Sequence, residues 1–65
     1  MIKYRLVYTI TKGDSYAEVN NVPVHSFEVA VEQIKSIIET NNIKCAKFQI
    51  FTNGILTKVI NFNLL

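Results

Sequence analysis

The sequence predicts an α+β fold in the order β-β-α-β-β, with one helix packed on one face of a four-stranded, mainly antiparallel sheet. Three observations lead there. Ser26 to Asn41 is the one segment with a sustained helical period. Strand-like alternation precedes it and follows it. Asn53-Gly54, the dipeptide of a two-residue hairpin turn, separates two apolar runs. A chain of 65 residues makes a single domain, 1–65.

Ile2, Tyr4, Leu6, Tyr8 and Ile10 alternate with Lys3, Arg5, Val7 and Thr9, which reads as a strand with one core face. Thr11-Lys12-Gly13-Asp14 is turn chemistry. Ser15 to Val22 returns as the second strand, with Ala17 and Val19 on one side and Tyr16, Glu18 and Asn20 on the other. Pro23 keeps Val22 out of the helical region, so the helix starts later. Ser26 is the expected N-cap and Glu28 the anion favoured in the first turn. Phe27, Ala30, Val31, Ile34, Ile37, Ile38 and Asn41 line one helical stripe. Glu28, Glu32, Gln33, Lys35, Ser36 and Glu39 fall mostly on the other side. Asn41-Asn42 stops the helix. Lys44 to Thr52 reads as the third strand, Ile55 to Phe62 as the fourth, and Leu64-Leu65 as an apolar tail.

The expected strand order is 2-1-4-3, with the meander order 1-2-3-4 as its competitor. The former places the apolar first and fourth strands in the centre and the charged Glu18, Lys44 and Lys47, with Asn20, at the edges. The two-residue turn sets a register in which Ile50 pairs with Thr57 and Phe48 with Val59 on the helix side. The opposite side then pairs Phe51 with Leu56, Lys47 with Ile60 and Cys45 with Phe62. One helix covers one face. Val7, Phe51, Leu56, Ile60 and Phe62 are therefore expected on an open face that is too apolar for a monomer, and they are the interface candidates.

Size points the same way. Hydrophobic residues make up 49% of the chain, yet a domain this small buries a marginal core. One cysteine allows no internal disulfide, and one cysteine with one histidine cannot close a zinc site. A homodimer through the open face is the expected source of further stability.

The net charge is +2, too weak to mark a dedicated polyanion binder. Lys3, Arg5, Lys47 and Lys58 are nonetheless expected to share the open face. Cations beside an aromatic ring on a sheet are the ingredients of a single-strand nucleic-acid binder, which is the alternative reading. Against it, Tyr4 and Tyr8 are expected to look inward, which leaves the face short of rings.

No catalytic constellation emerges. His25 has no nucleophile beside it in a motif, and Cys45 reads as small apolar filler on a strand. Glu28 and Glu32 are one helical turn apart on a solvated face. Gly13 and Gly54 are the only glycines, and each belongs to a turn rather than to a phosphate loop. No enzyme, cofactor or metal is expected. No apolar run reaches the ~20 residues of a membrane span. The N-terminal residues alternate instead of forming a signal-peptide block, and a lone cysteine suits a reducing cytoplasm. Nine isoleucines, seven asparagines and six lysines are the bias of AT-rich coding DNA, as in a low-GC bacterium or its phages and mobile elements.

The run Lys12 to Tyr16, then Val22-Pro23, then Ser26, Glu28 and Ala30 resembles the hairpin–helix start of HicB-type antitoxin domains. The chain lacks that family's acidic, glycine-rich strand connections and a separate DNA-binding tail, so no function is carried over. The expected role is a non-enzymatic protein–protein interaction module, an adaptor or inhibitor of a phage or mobile element with an unidentified protein partner.

Overall fold

All four strands and the helix form in the expected order, with different bounds. The first strand runs on through Thr11 and Lys12, which are expected in the turn, the second continues through Pro23 to Val24, and the third begins at Asn42 rather than Lys44. A computed structural model describes residues 1–12, 16–40 and 42–63. The expected turn residues Gly13 and Asp14, with Ser15, Asn41 and the tail Leu64-Leu65, lie outside the described residues. The elements are β1 (Ile2–Lys12), β2 (Tyr16–Val24), α1 (Phe27–Thr40), β3 (Asn42–Thr52) and β4 (Ile55–Asn61).

Helix α1 is capped as its sequence requires. Ser26 Oγ accepts from the Val29 backbone N–H at 3.2 Å, and the Ser26 carbonyl accepts from Ala30 N–H at 3.2 Å. Ala30 and Ile34 are buried, while Val31 and Ile37 are half-buried and Ile38 is exposed. The apolar stripe is thus narrower than the expected one. Glu28, Glu32, Lys35, Ser36 and Glu39 are all exposed.

The core lies between α1 and one face of the sheet. Leu6, Val24, Ala30, Ile34, Ala46 and Phe48 form it, with Tyr4, Tyr8, Ile50, Ile60 and Phe62 packed against it. No described polar or charged residue is buried. Phe48 is the hub: Tyr4 stacks on it at 5.3 Å and Phe27 meets it edge-on at 5.1 Å.

The strand order is β2-β1-β3-β4, a correction to the expected 2-1-4-3. Length matching accounts for part of it. Strands β1 and β3 each have 11 residues and pair from Ile2↔Thr52 to Thr11↔Asn42, whereas β4 has 7 and would leave part of β1 unpaired. The connection accounts for more. Both β2 and β3 run antiparallel to β1, so α1 need carry the chain over one strand only, a sideways step of about 10 Å. Lys44 and Lys47 therefore sit on an inner strand rather than at an edge.

The second hairpin turns as expected and then departs from its expected register. Asn53 and Gly54 have φ of 52° and 82°, the pair of positive values that a type I′ turn needs. Thr52↔Ile55 and Phe51↔Leu56 pair directly, but the next pair is Ile50↔Lys58. Thr57 is the extra residue of a β-bulge. Its hydroxyl donates to the Ile50 carbonyl at 3.2 Å and lies 3.2 Å from Thr52 Oγ1, serving a carbonyl where the ladder is interrupted. Beyond the bulge Gln49 pairs with Val59, Phe48 with Ile60 and Lys47 with Asn61. A second irregularity, between Thr9 and Ile10, leaves Lys44 without an opposite residue on β1.

Candidate interaction surface

A shift of one residue exchanges the faces of a strand. Two interface candidates move accordingly. Ile60 and Phe62 are on the helix side, not on the open face. Phe62 stacks on Phe27 at 5.6 Å, burial that the other register would forfeit. Lys58 moves with them and sits opposite Ile50, away from the other three candidate cations. Val59 goes the opposite way and replaces Ile60 on the open face.

The open face can be read from the register. Lys3 lies opposite Phe51, Arg5 between Pro23 and Gln49, Val7 between Asn21 and Lys47, and Thr9 between Val19 and Cys45. Leu56 extends the row beyond Phe51, and Val59 extends it beyond Gln49. Phe51 and Val7 are half-buried, while Leu56 and Val59 are 45% and 42% exposed. Val7, Phe51 and Leu56 thus keep their expected places. Phe51, Leu56 and Val59 make an apolar corner at the β3–β4 side. Lys3, Arg5 and Lys47, all exposed, run diagonally beside it. The Arg5 guanidinium donates to Asn21 Oδ1 at 3.0 Å, which fixes its head over the β1–β2 pair.

No described residue on this face carries a carboxylate. Glu18 pairs with Ile10, a buried core residue, and so belongs to the helix side; Glu28, Glu32 and Glu39 are on α1. Among the described residues the open face therefore carries cations without carboxylates, while the helix side mixes four carboxylates with Lys35 and Lys58, a contrast that alternation alone did not reveal.

Cys45 is exposed on the open face, the side its expected register gave it, which corrects only the buried filler expected from its residue type. Its thiol donates to Thr9 Oγ1 at 3.5 Å. His25 is exposed between β2 and α1. Among the described residues no group of three His, Cys, Asp or Glu side chains is placed to hold a metal ion.

No family model, curated protein or solved structure matches the chain. The hairpin–helix likeness over Lys12 to Ala30 accordingly carries no function.

Two hollows complete the surface. One, of about 480 Å³, opens at the end of the β1–β2 pair beside Arg5, Pro23 and His25. The other, of about 340 Å³, lies between the start of α1 and the sheet, where Phe27, Phe48, Ile50 and Ile60 meet His25 and Glu28. The first is bordered by Lys3, Tyr4, Arg5 and His25, and the second is lined mainly by apolar side chains. No described helix is long and apolar enough to cross a membrane.

Proposed function

We propose that the chain is a non-enzymatic protein–protein interaction module that docks a carboxylate-bearing protein surface on its open sheet face. The observation that supports this is the pairing of an apolar corner, Phe51, Leu56 and Val59, with Lys3, Arg5 and Lys47 and no described carboxylate. A desolvated apolar contact beside charged groups is the usual division of labour at an interface: the first supplies affinity, the second orientation and on-rate. Two copies meeting squarely on this face would set these cations against one another, so the homodimer expected from size is better served elsewhere on the molecule. A chain this small with one such face suits an adaptor or inhibitor.

The test compares capture from cells of the source organism by the wild type, by Phe51→Glu and by the charge-reversed Lys3→Glu/Arg5→Glu/Lys47→Glu protein. A partner held by the wild type and lost with both variants, each still folded by circular dichroism, is the expected result. Identical capture by all three would remove the reading. The absence of described carboxylates also favours a second reading, a single-stranded nucleic acid on the same face. Three phosphate contacts would give a log–log salt slope of about −2. No retention of an oligonucleotide at low ionic strength would dismiss it.

A further inference from the structure

Strand β4 is an edge, and among the described residues no strand pairs with its outer side, which presents hydrogen-bonding groups in a defined order. The Phe62 backbone N–H donates to the Ala46 carbonyl at 3.0 Å, so Phe62 turns its main-chain groups toward β3. Along an antiparallel strand this direction alternates. Ile60 and Lys58 therefore also bond inward, while Val59 and Asn61 offer their N–H and C=O groups outward. This stretch is regular, because the bulge at Thr57 precedes it. Val59 on the open face and Ile60 and Phe62 on the helix side give it apolar side chains on both faces, with Asn61 and the single charge of Lys58 beside them.

We propose that a second copy of the chain adds to β4 as an antiparallel neighbour, with the two-fold axis passing at Ile60. In this register Val59 of each copy exchanges two backbone hydrogen bonds with Asn61 of the other, four in all. Ile60 faces Ile60 of the second copy as a non-hydrogen-bonded pair, the closer kind, with Cα atoms about 4.5 Å apart. Lys58 falls opposite Phe62, so no two cations oppose each other, and a cation beside a ring is favourable. Centring the axis on Val59 instead would draw the bulged Thr57 into the ladder. The other edge, β2, carries Pro23 and Glu18, both of which discourage pairing. The association therefore closes as a dimer instead of growing. It pairs the main chain of β4, whose Val59 side chain also belongs to the docking corner, and it leaves both open faces on the same side of an eight-stranded sheet.

Sedimentation equilibrium from about 10 μM to about 1 mM, the range for a small interface, should show monomer and dimer. Over that range amide exchange at Val59 and Asn61 should slow with concentration. Asn61→Pro removes one outward N–H per copy without touching the bonds to β3, and should weaken the dimer about tenfold or more. N-methylation of Asn61 by chemical synthesis should do the same if the proline disturbs folding. Phe51→Glu, on the open face, should leave the dimer intact. A strict monomer at 1 mM would overturn the proposal. So would a dimer split by Phe51→Glu but not at Asn61, or one in which Val59 and Asn61 exchange at the same rate at every concentration.

Discussion

Asn20 lies on the helix side of β2, opposite Tyr8, and its Nδ2 is buried without a hydrogen-bond partner among the described residues. A donor left in this state costs about 1–3 kcal/mol. Replacing it with Val removes the unmet donor and suits a strand. Asn20→Val should raise stability by about 1 kcal/mol and the melting temperature by about 4–8 °C. A lower urea midpoint would show that Asn20 contributes more than its lost bond. The alternation of β2 separates Ala17 and Val19 from Glu18 and Asn20, but it does not say which pair is inside. Pairing decides that. Asn20 is opposite Tyr8 and Val22 opposite Leu6, so the polar set is drawn toward the core while Val19 is left 68% exposed. The burial expected of Cys45 failed for a similar reason: it came from residue type, and the exposure follows from being opposite Thr9.

At the scale of elements, the helix was the most legible part. A cap, an anion in the first turn and a 3.6-residue period agree with one another, and each acts locally. Ser26→Ala removes the acceptor for Val29 N–H and should cost about 1 kcal/mol. Urea denaturation with an unchanged slope would measure it, and an unshifted midpoint would mean that the Ser26 hydroxyl adds nothing to the helix. The fourth strand was legible only as far as its turn. Asn53-Gly54 determines Phe51↔Leu56, and nothing local announces the bulge at the very next residue, Thr57. Both alternations of β4 are apolar, so hydrophobic pattern could not choose between them. Long-range packing of Phe62 on Phe27 favours one, and the candidate face changed accordingly: Val59 joined it, while Ile60, Phe62 and Lys58 left it.

For the whole molecule, fold class was readable because it follows from element order, whereas strand order depends on contacts between segments far apart in the chain. The same distance makes Phe48 decisive. It joins β3 to β1 through Tyr4 and to α1 through Phe27, and it is 2% exposed. A domain of this length has about 3–10 kcal/mol of stability, and Phe→Ala in a core removes about 3–5. Phe48→Ala should therefore remove about a third or more of the stability and lower the melting temperature by about 12 °C or more. A cooperative transition within a few degrees of the wild type would mean that the core does not centre on this ring.

The contrast in charge between the two sides gives the molecule an electrical top and bottom. On a bed of fixed negative charge it would settle sheet-down, so that Lys3, Arg5 and Lys47 touch the support together while the glutamates of the rod above are turned away. Such a molecule elutes later than its modest net charge of +2 alone would suggest, and neutralising those three positions should cut its retention more than neutralising Lys35, Lys44 and Lys58, an equal change in net charge.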